Sequence, residues 1–370
     1  MGLYIHLMPS LPDDVDYTKA LPKLSSTEPL EILDPKTGFL NHEGWSKIPN
    51  KWLYNHEMNN AYVPFFTRHK FWNWFYVISG DYLVTMAHTN GGLVMAAHIN
   101  IQDVSRKDSP IVETIVKEFF QDSIAIDENK NGGGMYSTIS HDQMNMTFFR
   151  RPEGTTTDID ISVHSDQGLI EGKLEADSQG YEGFAHVSSN PNDPTKHTYM
   201  SKHQQKFVGS INLGGKEIIT CTKKSPCQGF EDNGGGYLPY PTHWVQALTT
   251  FKSKGRDIHI SIGSGDDNPH SSFDHIFIDG KLHKLDPHIA TKVSDTHWKW
   301  EKNPVTNKYD ISVEMEFRVQ KSHIIQGHYV IYDVDSRDDY GYFSGTITTP
   351  NGKIPFNNTM GIIDEIYARW

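Results

Sequence analysis

Apolar and polar positions alternate with a period of two along much of the chain. In residues 309–320, Ile311, Val313, Met315, Phe317 and Val319 share one side, and Ser312, Glu314, Glu316, Arg318 and Gln320 share the other. That is the pattern of a half-buried antiparallel strand. Residues 158–163 (Ile159, Ile161, Val163) and 257–262 (Ile258, Ile260, Ile262) repeat it. Glycine turn signals separate such stretches at Gly132–Gly134, Gly214-Gly215, Asp279-Gly280 and Asn351-Gly352. Residues 77–84 and 93–101 read as paired strands joined at Asn90-Gly91-Gly92. In 71–76, Trp72 and Trp74 fall on one face while Phe71, Asn73 and Phe75 fall on the other, so both faces are partly apolar, as in a barrel wall.

One segment breaks the two-residue rhythm. Residues 109–121 place Ser109 at a cap, Pro110 in the first turn, and Ile111, Val112, Ile115, Val116, Phe119 and Phe120 on a helical stripe. A helix is expected there, although these β-branched residues would also serve a strand. The whole reads as an all-β, mainly antiparallel sandwich or barrel protein with one or few short helices. Residues 1–40, rich in scattered prolines, read as an extended lead-in. The triplets Gly132–Gly134 and Gly234–Gly236 suggest two similar β modules, 41–190 and 191–370, dividing near Pro191 and Pro194.

Composition narrows the function classes. The 370 residues carry 34 basic and 46 acidic side chains, a formal charge of −12. A negative field without a basic stripe argues against nucleic acid. No P-loop, dinucleotide fingerprint or heptad is present. Cys221 and Cys227 do not make a disulfide framework, and two free thiols in a cytoplasmic protein are expected. No signal peptide, myristoylation signal or membrane span of roughly 18 apolar residues is seen.

The densest chemistry lies in residues 231–244. This reads as a loop between strands, with three glycines followed by Pro239 and Pro241, flanked by Glu231, Asp232, Tyr237, His243 and Trp244. Glu231 and Asp232 are adjacent, so only one can enter a given cavity. An acid among Tyr237, Tyr240 and Trp244 would have a raised pKa and could protonate a double bond. Asp232 could equally tie down the glycine loop.

Several phrases together resemble a widespread domain-of-unknown-function family. They are Gly44-Trp45-Ser46 with Pro49, Arg68…Trp72…Trp74-Phe75-Tyr76, Lys202-His203-Gln204, Asp232…Gly236…Pro239…Trp244, Ile278-Asp279-Gly280-Lys281-Leu282-His283, Tyr342-Phe343-Ser344-Gly345 and Glu365…Trp370. The chain is also distantly similar to the carotenoid 1,2-hydratases, whose second half carries a comparable Asp-Xaa-Xaa-Gly…Trp stretch. The resemblance implies two lipocalin-like β-barrel modules, as in tocopherol cyclase and the fungal lipocalin-like Diels–Alderases. Those relatives act on polyenes without a metal or organic cofactor. Asn233 stands where the hydratase pattern has a His, a departure that counts against carotenoid hydration itself.

Phe273-Asp274-His275 supplies a further candidate, with His275 or His243 as proton-transfer partner of Asp232 or Glu231. His275 could instead be an ordinary hairpin histidine. Lys202, His203 and Arg68 could grip a ligand carboxylate or carbonyl, or could snorkel along tryptophans. Trp72, Trp74 and Trp244 could wall a cavity or fill a core. The twenty histidines form no metal-ligand spacing, so no metal and no cofactor are expected. The reading is an enzyme that binds an apolar or amphipathic small molecule and catalyses acid-assisted hydration, cyclisation or isomerisation. A lipid or pigment carrier and a carbohydrate-active enzyme with a Trp-lined groove are the alternatives.

Overall fold

The computed structural model describes residues 23–24, 30–31, 34, 40–47, 52–53, 69–91, 94–119, 124–128, 135–152, 154–190, 193–238, 242–265, 273–329 and 332–369. Among them no residue is helical, and fourteen strands form one sheet and nine form a second. Both sheets are antiparallel. Each curls around its own core, one nearly closing into a barrel and the other making a half-barrel, the architecture of two lipocalin-like modules. Arg68, Gly132–Gly134, Pro239–Pro241 and most of the proline-rich lead-in lie outside the described residues.

The first sheet runs from Val112–Phe119 through Val94–Asp103, Tyr82–Asn90, His69–Ser79 and Cys227–Tyr237 to the 21-residue strand Asp193–Leu213. It then continues through Gly168–Asp177 to Ile124–Glu128. The second sheet begins at Thr242–Ser253, whose neighbours are Arg256–Gly265 and Gly352–Arg369. The chain therefore changes sheet between Tyr237 and Thr242. The hairpin of Gly183–Asn190 and Asp193–Leu213, where a division was expected, lies within the first sheet.

Three expectations are corrected. Residues 112–119 form a strand paired with Val94–Asp103, not a helix. Burial of Val112 and Val116 in the first core rewards the extended form that β-branched residues favour. Residues 77–84 are two strands, because Gly80 at φ +57° makes a tight turn between Ser79 and Tyr82. Cys221 and Cys227 are bonded to each other rather than free.

Three apolar clusters organise the packing. One fills the first sheet, with Phe75, Val77, Ile99, Phe148, Phe207 and Ile211. A second fills the other sheet, with Ile260, Trp298, Trp300, Val313, Phe317 and Phe343. The third joins the two modules through Tyr76, Phe184, Phe230, Leu248, Phe277 and Tyr340. Fully buried aromatics of this kind contribute roughly 1.5–3 kcal/mol each. Polar links reinforce the junction: Tyr76 Oη lies 3.2 Å from His259 Nδ1, the backbone NH of Leu282 donates to Glu182 at 2.7 Å, and His323 Nε2 meets Glu113 at 2.9 Å.

Candidate functional site

The strand alternation that builds the cores also builds a cavity. On His69–Ser79, Phe75 and Val77 enter the first core, so Trp72, Trp74 and Tyr76 face the second module. Tyr76 closes onto Phe230, Leu248 and Tyr340. Beyond that floor the modules separate and leave a cavity of about 290 Å³. Its walls are mostly apolar, with Trp72, Trp74, Met200, Trp244, Ile325 and Ile366 prominent.

The glycine-rich stretch expected to be a loop is a strand. Gly234, Gly235 and Gly236 are buried and paired on both sides, to Met200, Tyr199 and Thr198 and to Trp72, Phe71 and Lys70. The glycines exist for close approach: a Cβ at Gly234 would lie 2.5 Å from a ring carbon of Trp72. They let the Trp72 indole approach the backbone closely while it lines the cavity.

Acids and a lysine occupy the layer directly above the floor. Asp232 and Trp74 are register partners, as are Asp232 and Lys202. Lys202 Nζ meets Asp232 Oδ2 at 2.8 Å, and Trp72 Nε1 donates to Asp232 Oδ1 at 3.0 Å. Both oxygens of Asp232 are thus engaged by donors, the environment of a carboxylate anion. Opposite, Asp338 and Asp364 are direct cross-strand partners, so their carboxyls meet. Trp244 Nε1 donates to Asp364 Oδ2 at 3.1 Å, and Tyr340 Oη donates to Asp338 Oδ2 at 3.3 Å.

Two carboxyls in contact cannot both ionise cheaply. Burial, then the Asp364 charge, hold Asp338 well above the usual carboxylate range. Burial raises Asp364 to about 6, opposed by hydrogen bonds from Trp244 and Asp338. Asp338 is therefore the protonated partner and donates to Asp364. His98, also on the wall, is pushed down to about 4 chiefly by burial, so it is neutral.

Of the residues singled out from sequence, the cavity gathers Asp232, Lys202, Trp72, Trp74 and Trp244. The others lie elsewhere. Glu231 turns into the first core, where Gln205 Nε2 donates to it at 2.8 Å and Arg150 pairs with it. His203, its register partner, shares that interior, and burial and Arg150 push it down to about 3. His275 is fully buried between the modules, stacked on Phe184 with centroids 4.4 Å apart, and burial followed by Lys202 holds it neutral. Asp274 clamps backbone, accepting from Gly263 N and His288 N at 2.8 Å each, with His288 Nδ1 at 2.9 Å. His243 sits 3.9 Å from Glu365 Oε1. Tyr237 is buried beside His197, and its hydroxyl is pushed up to about 12 by that burial. Among the described residues no cluster of three or more His, Cys, Asp or Glu side chains has the geometry to hold a metal.

Sequence reasoning missed Asp338 and Asp364. A signal was present: Met360, Ile362, Asp364, Ile366 and Ala368 share one face, so an acid interrupts an apolar stripe.

Comparison with known proteins agrees with the architecture. A family model described as "Domain of unknown function (DUF2804)" matches residues 24–370, and the chain belongs to that family. No curated protein matches the chain. Among solved structures, CghA is similar with a TM-score of 0.50 at 11% identity, over 94% of this chain and 97% of that one. A structure of CghA with Sch210972 gives the same TM-score and identity over 81% and 88%. Kievitone hydratase from Nectria haematococca is similar with a TM-score of 0.46 at 11% identity, over 94% and 98%. At that identity the likeness is one of fold. Among the described residues no helix is long and apolar enough to cross a membrane.

Proposed function

We propose that this member of the DUF2804 family is an enzyme that transfers a proton to an unsaturated, mainly apolar small molecule held between its two modules. The observation that carries the reading is the proton-bearing Asp338–Asp364 pair at the bottom of a cavity with largely apolar walls. A carboxylic acid kept neutral near pH 7 is a usable general acid. Asp338 gives its proton to one carbon of a double bond, and the adjacent carbon becomes cationic. Both carboxyls are then anions beside the new cation, and the indoles of Trp72, Trp74 and Trp244 favour positive charge. Capture by water yields hydration, capture by a second double bond or hydroxyl yields cyclisation, and loss of a different proton yields isomerisation. Each route returns one proton, which re-forms the acid pair.

Asp232 has a different part in this scheme. Held by Lys202 and Trp72, it is an anion facing the acid pair and raises the cost of a second negative charge at Asp364. A carrier would have no use for two carboxyls sharing a proton on its wall. A glycosidase places its carboxyls on either side of the bond, roughly 5–9.5 Å apart, whereas Asp338 and Asp364 touch.

The test uses solvent deuterium. The protein is incubated in D2O with a total lipid extract of its own source, neutral and acidic fractions together, and products are read by mass spectrometry. A carbon-bound deuteron appearing with wild type and lost with Asp338→Asn is expected. No incorporation, or equal incorporation by the variant, refutes proton transfer from this pair.

A further inference from the structure

Lys202 does more in this cavity than hold Asp232. On Asp193–Leu213, Phe207 enters the first core while Thr198, Met200 and Lys202 come to the cavity wall. Lys202 is only 2% exposed, so its amine meets the cavity and hardly any bulk water. The rings of Phe230 and Phe273 stand 6.0 and 5.9 Å from Nζ. Lys284, also buried, is different: it donates to the backbone carbonyls of Asp274 and Leu285 and is not part of the wall.

Three groups stand in line on that wall. Asp232 Oδ2 lies 2.8 Å from Lys202 Nζ, and Trp72 Nε1 donates to the other oxygen of Asp232 at 3.0 Å. A nucleophile, a base within hydrogen-bond reach and a third group that orients the base form the arrangement that activates side-chain nucleophiles. Moving one proton from Nζ to Asp232 exchanges two buried charges for none, which lowers the cost of the free amine where water is scarce. The proton-bearing pair of Asp338 and Asp364 on the same cavity supplies an acid for an oxygen leaving group.

We infer that Lys202 captures apolar aldehydes or ketones that enter the cavity and holds them as an imine. Nζ gives a proton to Asp232, and the freed lone pair attacks the carbonyl carbon. The carbonyl oxygen takes the proton of Asp338, and the new C–N nitrogen returns one to the acid pair, leaving a carbinolamine. Asp232 then protonates the hydroxyl, the C–O bond breaks, and water departs. An iminium replaces the ammonium beside the Asp232 anion, so the charge of the site is unchanged. The inference goes beyond the proton transfer proposed above and shares with it the cavity. In a ligand whose double bond lies one carbon away from the carbonyl, Asp232 takes the intervening C–H proton and a dienamine forms. Asp338 protonates its far carbon, which moves the double bond into conjugation, and Asp232 returns its proton to the pair. Water then hydrolyses the imine and frees the product.

The full chain is treated at neutral pH with octanal and cyanoborohydride, which reduces an imine to a stable secondary amine, and adducts are mapped by peptide mass spectrometry. Lys202 is expected to be modified about tenfold faster than the exposed Lys252, because a ligand seated in the cavity presents its carbonyl to the amine at high effective concentration. 1-Octanol, which has the same chain and no carbonyl, should suppress the adduct at Lys202 and leave that at Lys252 unchanged. Lys202→Arg keeps the pairing with Asp232 and removes the nucleophile; with an unaltered melting curve, it should lose this one fast adduct from the intact mass. Modification of Lys202 no faster than Lys252 overturns carbonyl capture, and the deuterium experiment, which needs no imine, still decides proton transfer on its own. A fast adduct at Lys202 that 1-octanol does not suppress overturns the assignment to the cavity.

Discussion

Replacing Asp364 with Asn tests the carboxyl pair without needing a substrate. The folded value of about 6 stands above the ordinary 3.8. Folded protein therefore binds more protons than unfolded chain between those values, and stability falls as pH rises through the window. The contribution is fully present below pH 4 and is lost above pH 6. A rise of that size corresponds to about 3 kcal/mol, and because the carboxyls border the cavity instead of being sealed from it, about 2 kcal/mol is the expected size. For a chain of this length that is on the order of 3 °C in Tm. An amide at position 364 can still accept from Trp244 Nε1 and from Asp338, so shape and hydrogen bonding are preserved. Urea unfolding followed by tryptophan fluorescence at pH 4, 5, 6, 7 and 8 reads the effect as a difference between variant and wild type, which cancels the titrating groups remote from the pair. Asp364→Asn should gain on wild type by about 2 kcal/mol from pH 4 to pH 8. A difference that does not change with pH would show that burial does not raise the Asp364 carboxyl.

Lys202→Met leaves Asp232 as a buried unpaired anion and should cost about 4 kcal/mol in urea unfolding, while the double variant with Asp232→Leu recovers most of it; a double variant as weak as the single one contradicts the pairing. Gly234→Ala puts a methyl 2.5 Å from Trp72 and 2.7 Å from the Tyr199 carbonyl. It should destabilise by about 3 kcal/mol and alter the tryptophan emission, and a neutral effect would mean the strand does not press on that ring. Reducing Cys221–Cys227, which closes a loop with a sequence separation of 6, should lower stability by about 2 kcal/mol; unchanged unfolding in dithiothreitol counts against the bond.

The site was half legible before the fold was known. Asp232 and Trp244 stand out beside the glycine triplet, Trp72 and Trp74 in an aromatic block, and Lys202 in a phrase the family resemblance rests on, and four of the five are reached from one group of adjoining strands. His275 and Asp274 stand out locally as an adjacent acid and imidazole, yet His275 sits in the junction between modules and Asp274 clamps backbone within the second. Local chemistry cannot say which side of a sheet another module will cover. Asp338 sits in an ordinary run of charged residues, 26 positions from the Asp364 that defines its chemistry.

What the sequence determined by itself is the extended state of the chain and the face each strand buries. Period-two alternation such as that of 309–320 rewards a strand whatever its neighbours, and a β-branched run such as 112–119 is decided by which partner it finds. Tertiary structure alone decided that the two modules meet over Tyr76, Phe230 and Tyr340 and separate above them. It also decided that Asp338 and Asp364 become direct partners, because register is a property of paired strands and not of either strand alone. A carboxyl pair that shares a proton exists only once two distant acids are held in contact and shielded from water.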